Sequence, residues 1–167
     1  MDARLFVALW PAPAVRTQLA AARDRWRWRW PKGATPVRSE HLHLTLHFIG
    51  AVAQARVPEI AAALDVPSSA FDLTFGRDVL WPHGVAVLEP DGAPPALTAL
   101  HAALGERLRT LSLPTDERPF KPHVTLARRA AAATPGTDLP AMVWPVHGYA
   151  LLQSVAGNYE IVRAYDF

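Results

Sequence analysis

The chain has 167 residues, half of them hydrophobic and 19% charged, which predicts a globular domain with a substantial core and excludes a disordered protein. It contains no cysteine, which excludes disulfides, thiolate metal sites and a cysteine nucleophile. The formal net charge is only +2, so a nucleic-acid partner is compatible with the charge but not required by it.

Hydrophobic periodicity and turn residues predict mixed strands and helices. In chain order we expect strand 4–10, helix 14–26, loop 31–36, strand 37–50 stopping at Gly50, helix 57–64, strands 71–80 and 84–90, helix 94–111, strand 118–129, and strands 142–153 and 158–166. The turn-prone WPHG between two strands predicts a hairpin, hence antiparallel pairing and an α+β fold.

The first residues do not resemble a signal peptide, because a short apolar run is broken by Pro11 and Pro13 and lacks a basic start. No later segment is apolar over the length that a membrane span needs. We therefore expect a cytoplasmic protein without membrane contact, and a monomer.

A short motif occurs twice. HLTL at 43–46 and HVTL at 123–126 lie 80 residues apart, and the same shift places LFVAL at 5–9 on VAVLE at 85–89. A strand, a helix and a histidine-bearing strand therefore repeat at one period. We predict a single two-lobed domain over 1–167 with an internal duplication, in which the two histidine strands meet across a pseudo-twofold axis.

The repeated motif carries residues suited to phosphoester chemistry. On a strand, residues two apart share a face, so His43 and Thr45 point the same way, as do His123 and Thr125. Two imidazoles near their ordinary pKa can act as general base and general acid, while hydroxyls hold phosphate oxygens. Arg128 could neutralise charge at phosphorus. These groups supply proton transfer and charge without a metal or other cofactor.

Other histidines allow a competing interpretation. His41 and His47 share the parity of His43 and could chelate a metal, but the repeat places Lys121 and Ala127 at the equivalent positions, which disfavours a metal site. We interpret His41 as flanking and His47 as a rim residue. His101, in an apolar helix, is expected at the core or its boundary.

The run RWRWRW at 25–30 allows two interpretations. Alternating arginine and tryptophan suits a single nucleic-acid strand, through base stacking and phosphate contacts. The favoured interpretation is that the tryptophans pack against the protein while the arginines face water.

Together these motifs resemble the two-histidine phosphoesterases, specifically LigT-like RNA 2′,3′-cyclic phosphodiesterases, also called 2′-5′ RNA ligases. RLFVALWP, LHLTLHFIGAV, RPFKPHVTLAR and the closing GNYEIV carry the resemblance over nearly the whole chain. It implies a bilobal fold, with two pseudo-symmetric lobes whose antiparallel sheets line a central cleft and whose helices lie outside.

The resemblance also implies an activity. Such enzymes open RNA terminal 2′,3′-cyclic phosphates to 2′-phosphates without a cofactor, and some reversibly form 2′-5′ linkages. By this resemblance His43 and His123 are the acid–base pair, while Thr45, Thr125 and Arg128 hold the phosphate. Either direction of proton transfer is compatible with the sequence, and we take His123 as base on water and His43 as acid. The expected partners are RNA ends or cyclic nucleotides as substrates.

One position conflicts with simple strand parity. On a regular strand Arg128 would point to the opposite face from His123. The motif therefore requires the strand to end or bulge just after Leu126. Phe48 is the equivalent residue in the first copy. If the same irregularity occurs there, Phe48 reaches the cleft and can stack on a base; otherwise it belongs to the core.

Three alternatives remain open on the sequence. A cyclic phosphodiesterase acting on a small nucleotide or on an ADP-ribose cyclic phosphate would use the same residues. A nucleotide- or RNA-binding module could keep the fold without turnover. A metallohydrolase built on His41, His43 and His47 is the least favoured.

Overall fold

Nine antiparallel strands form the body of the molecule in a computed structural model, which describes residues 1–26, 30–135 and 141–167. The strands are β1 (Asp2–Leu9), β2 (Thr35–Pro36), β3 (Leu44–Ala53), β4 (Phe71–Trp81), β5 (Val85–Pro90), β6 (Val124–Arg128), β7 (Met142–Val146), β8 (Gly148–Val155) and β9 (Asn158–Asp166). Their order is β7-β4-β5-β6-β3-β1-β8-β9, with β2 beside β6.

A single residue pair joins the two halves of this sheet. Leu44 of β3 pairs with Val124 of β6, and on either side lie β5-β4-β7 and β1-β8-β9. The strand after β3 in the chain, β4, pairs with β5, whereas β8 returns to pair with β1. The predicted α+β architecture of two antiparallel sheets is confirmed, and the two sheets are continuous through one bridge.

Three helices lie in the described part of the chain: α1 (Pro13–Asp24), α2 (Val57–Ala63) and α3 (Pro95–Thr110). Each begins with a proline in its first turn, where the missing N–H costs nothing. In α3 the residues Leu97, Leu100, Leu104 and Leu108 are buried as one stripe. The predicted helices are confirmed within two residues at each end. None of the described helices is long and apolar enough to cross a membrane.

The predicted strand at 37–50 is wrong at both ends. Residues Ser39–His41 form a 3₁₀ turn, whose backbone is held by Arg16 of α1 donating to the carbonyls of Ser39 (2.8 Å) and Leu42 (3.0 Å). Gly50 does not stop β3, because its φ of +85° fits a bulge opposite Leu5 and Phe6 and the strand continues to Ala53.

Three other expectations need correction. The strand predicted at 118–129 is regular only over Val124–Arg128, since Pro119 and Pro122 lack an N–H for pairing. The strand predicted at 142–153 breaks at His147, so that β7 and β8 lie in opposite halves of the sheet. The loop predicted at 31–36 includes the short β2.

The β4–β5 hairpin is confirmed, and its turn is closely packed. Gly84 ends the turn with φ +74°, and its carbonyl accepts a hydrogen bond from the backbone N–H of Ala130 at 2.8 Å. A Cβ on Gly84 would lie 2.7 Å from the Ala131 nitrogen. Only glycine satisfies both the conformation and the space.

We expect Gly84→Ala to lower the free energy of unfolding by about 3 kcal/mol. The alanine would be strained in the left-handed conformation, and its Cβ would overlap the Ala131 backbone. Gly33→Ala is the matched control, because Gly33 has φ +89° but nothing lies within 4 Å of an added Cβ. It should cost only about 1 kcal/mol. Urea unfolding measures the stability of both variants. Equal losses of unfolding free energy would contradict the contribution of close packing at Gly84.

Candidate active site

The bridge between β3 and β6 assembles the four predicted site residues. Because Leu44 pairs with Val124, His43 lies opposite Thr125 and Thr45 lies opposite His123. Leu44 and Val124 are fully buried on the core side, whereas the four polar residues are partly exposed on the other face. The two imidazoles therefore lie diagonally across a strand pair, with a hydroxyl beside each.

His43 is held by polar contacts on both ring nitrogens. Its Nδ1–H donates to the His41 carbonyl at 2.6 Å, which leaves Nε2 to accept a hydrogen bond from the Thr45 hydroxyl at 2.9 Å. Phe6 and Tyr159 contact the ring, with centroids at 5.1 and 5.5 Å. Burial, the largest effect, lowers the pKa of His43 to about 4.

His123 repeats this arrangement in the second half. Its Nδ1–H donates to the Lys121 carbonyl at 2.8 Å, and the Trp81 ring lies 4.3 Å from the imidazole. Burial again has the largest effect and holds the pKa of His123 below its ordinary value. In both halves a carbonyl two residues earlier fixes the tautomer, so Nε2 is the unprotonated nitrogen that can accept a proton.

Equivalent bulges follow the two histidine motifs. In β3 the pairing with β1 skips Leu46, and in β6 the pairing with β5 skips Leu126. The bulge expected after the second motif is therefore confirmed, and the same irregularity occurs in the first. Phe48 is 60% exposed, so of the two alternatives for this residue, the one that places it in the core is wrong. Arg128 is also exposed.

A pocket of about 350 Å³ opens at the His123 end of the motif. Its polar wall includes Thr45, His123 and Lys121, and its aromatic wall includes Phe48 and Phe120. A concave site with aromatic walls and a few convergent polar groups is typical of small-ligand binding. The volume accommodates a nucleoside-sized ligand next to Thr45 and His123.

The interpretation of His47 as a rim residue is wrong. The bulge at Leu46 turns His47 inward, where it is 6% exposed and its Nε2–H donates to the His101 carbonyl at 2.8 Å. Its ring stacks on His101 at 4.1 Å, and His101 stacks on Phe120 at 3.9 Å. His101 is half-buried at the core boundary, as expected.

His41 flanks the site as expected, and its ring and that of His43 both contact Tyr159. The centre of the His41 ring lies 4.5 Å from that of Tyr159, with the rings tilted by 35°, and its Nε2 accepts a hydrogen bond from Arg38 at 3.1 Å. His47 thus lies apart from His41 and His43, buried against His101. Within 1–26, 30–135 and 141–167, no three histidine, cysteine or acidic side chains lie close enough to hold a metal ion.

The described residues of the tryptophan–arginine run are Arg25, Trp26 and Trp30. Trp26 is buried and stacks on Trp30 at 4.9 Å, whereas Arg25 is exposed, as the packing interpretation predicts. Residues 27–29 fall outside the described part of the chain, so the rest of that prediction stays a prediction.

A family model described as the 2′-5′ RNA ligase superfamily matches residues 8–157 of the chain. The chain belongs to the 2′-5′ RNA ligase superfamily. The family expected from the two motifs is confirmed. An RNA 2′,3′-cyclic phosphodiesterase of Thermus thermophilus is 32% identical over 169 residues, which cover 90% of this chain and 81% of that protein.

Solved structures agree on the fold of this superfamily member. LigT of E. coli in its apo form gives a TM-score of 0.83 at 25% identity and covers 100% of this chain and 98% of its own. LigT complexed with 3′-AMP gives 0.82 at 24% identity, covering 100% and 99%.

Several residues around the histidines were not found from the sequence. Trp81 and Tyr159 contact the two histidines and come from distant segments, whereas Phe120 lines the pocket and stands three residues before His123. Trp81 begins the WPHG turn and Tyr159 lies in GNYEIV, segments whose sequences predict a turn and a strand but no contact with a histidine. Their approach to the histidines depends on strand pairing across the sheet.

The stacked His101 predicts acid sensitivity. Burial lowers its pKa to about 4 from 6.5, so between these pH values the unfolded chain binds a proton that the folded protein does not. The stability that neutral His101 contributes is complete above pH 6.5 and is lost as pH falls towards 4. His101→Phe keeps the aromatic stack, so its thermal unfolding midpoint should fall less than that of the wild type between pH 6.5 and 4.

The matched control is His147→Phe, because His147 is exposed on the loop between β7 and β8. It should follow the wild-type pH dependence. Thermal unfolding from pH 7.5 to 4 measures all three proteins, and a parallel decline in wild type and His101→Phe would contradict the role of His101.

Proposed function

We propose that this protein hydrolyses the 2′,3′-cyclic phosphate at an RNA end to a 2′-phosphate, with His43 and His123 as the acid–base pair. The observation that carries the proposal is the Leu44–Val124 bridge, which places two imidazoles and two hydroxyls on one exposed face. Membership of the 2′-5′ RNA ligase superfamily and a relative named RNA 2′,3′-cyclic phosphodiesterase support this substrate class.

In the proposed reaction His123 removes a proton from water, whose oxygen attacks phosphorus. The bond from phosphorus to the ribose 3′ oxygen breaks, and His43 gives that oxygen a proton. Thr45 and Thr125 donate to the nonbridging oxygens, and Arg128 balances the added negative charge. With a 5′-hydroxyl in place of water, the same groups would form a 2′-5′ linkage, and cleavage of that linkage is the reverse step.

Substrate binding prepares His43 for its role as acid. In the free protein the Thr45 hydroxyl donates to Nε2 of His43, whose pKa is about 4, so the imidazole is neutral at pH 7. An anionic phosphate favours the imidazolium and attracts the Thr45 hydroxyl to its own oxygen. The proton that His43 needs is therefore taken up with the substrate.

We also propose that the chain is one two-lobed domain that arose by internal duplication. The support is the matched geometry of the two halves: carbonyl acceptors at His41 and Lys121, and bulges at Leu46 and Leu126. No metal or organic cofactor enters the proposed scheme.

His43→Ala and His123→Ala should each reduce turnover of a cyclic-phosphate-ended oligonucleotide by at least 10²- to 10⁴-fold, because each removes one proton transfer. The far-UV circular dichroism spectrum should be unchanged. Wild-type activity is expected to survive EDTA, and loss on chelation would reject the metal-independent scheme.

His147→Ala, at an exposed histidine, serves as the control and should keep full activity. Retention of normal turnover by either active-site variant would reject the acid–base assignment.

Phe48 is proposed to stack on the base next to the cyclic phosphate. Phe48→Ala should raise KM about tenfold with a smaller effect on kcat, because a base–aromatic stack contributes about 1–3 kcal/mol. Phe48→Trp should retain binding. Ile161→Ala removes another exposed apolar side chain and should change neither constant.

A second candidate is a phosphodiesterase for small cyclic nucleotides, which the nucleoside-sized pocket and the 3′-AMP complex of LigT both favour. Comparing kcat/KM for a cyclic mononucleotide and a cyclic-ended oligonucleotide separates the two. A clear preference for the oligonucleotide supports the RNA substrate, and a preference for the mononucleotide supports the alternative.

A further inference from the structure

Glu89 lies behind His123 at the end of β5, and its side chain is 13% exposed. One carboxylate oxygen accepts a hydrogen bond from the Trp81 indole N–H at 2.6 Å and lies 3.6 Å from the Lys121 ammonium. The other oxygen faces the exposed Arg77 at 3.3 Å. The carboxylate thus joins Trp81 and Lys121.

Both of these partners contact the same imidazole. The Trp81 ring lies 4.3 Å from the His123 ring, and the Lys121 carbonyl accepts the Nδ1–H of His123 at 2.8 Å. The Lys121 ammonium also lies 4.8 Å from the centre of the Trp81 ring. Trp81, Lys121 and Glu89 therefore form one connected support for His123.

The first half of the molecule builds the corresponding support without a carboxylate at this position. His41 provides the carbonyl to His43, and Tyr159 provides the aromatic ring. The residue aligned with Glu89 by the 80-residue shift is Leu9, which is apolar and fully buried. Glu89 is thus a point at which the two halves differ in charge.

We propose that Glu89 is a positioning residue for His123: it fixes the imidazole through Trp81 and Lys121, and its negative charge supports the imidazolium that His123 becomes during the reaction. The inference rests on the proposed function, because it requires His123 to transfer a proton. His123 passes through the imidazolium whether it acts first as base or as acid.

The charges around His123 oppose one another. Arg128 on β6 and the Lys121 side chain disfavour the imidazolium, and His43 on the facing strand disfavours a second positive charge nearby. Glu89 on β5 favours it. Removing the Glu89 charge should therefore make His123 harder to protonate, while His43, with its own surroundings, changes little.

The test is the Glu89→Gln variant, whose amide oxygen still accepts from Trp81 but carries no charge. The titrations of His123 and His43 are followed by NMR of the imidazole Cε1–H in the free protein. We expect the His123 pKa to fall by roughly 0.5 to 1 unit, with His43 unchanged. Glu106→Gln removes one carboxylate from the α3 surface and should leave both titrations unchanged.

Kinetics give a second readout. In Glu89→Gln the limb of the kcat/KM profile that belongs to His123 should move to lower pH, and kcat should fall about tenfold. Trp81→Phe, which keeps a ring beside His123 but removes the N–H donor, should lower kcat with a smaller shift in pH. Unchanged titration and pH profile in Glu89→Gln, or a loss of thermal stability alone, would overturn the inference.

An error in the proposed function would be distinguishable from an error in the role of Glu89. If the wild type does not cleave cyclic-phosphate ends but His123 still titrates lower in Glu89→Gln, the coupling between Glu89 and His123 stands and only the substrate assignment falls.

Discussion

One antiparallel residue pair determines the geometry of the site. Leu44 and Val124 join the two halves of the sheet, and their pairing sets which side chains of the two motifs face each other. A slip of either strand by one residue would turn that strand's histidine and threonine towards the core. The full burial of Leu44 and Val124 therefore protects the register, because any slip would expose them and bury polar groups.

Around this bridge the protein builds two similar supports with different electrostatics. Each histidine donates through Nδ1 to a carbonyl two residues earlier and contacts an aromatic ring from the outer strands. The His43 support includes Arg38 hydrogen-bonded to His41, whereas the His123 support includes Glu89. Similar backbones thus place the two histidines in different electrostatic surroundings.

The local motif was predictable, and its surroundings were not. Strand periodicity and the repeat located His43, Thr45, His123 and Thr125, because residues two apart on a strand share a face. The parity of Arg128 even predicted a bulge. The same argument failed for His47, because the bulge at Leu46 reverses the parity after it. Trp81, Tyr159 and Glu89 reach the histidines through pairing between distant strands, which no local pattern specifies.

The exchange of strands between the halves affects how the chain can fold. Because β8 pairs with β1, the first strand is completed only by residues near 150, and β4 from the first half completes β5 of the second. Neither half contains all the strands of its own sheet. The pairing of β1 with β8 closes a loop of most of the chain, so this step is entropically costly and folding should be slow for the protein's size. During synthesis β1 emerges long before β8, so one edge of β1 stays open to wrong partners until β8 arrives.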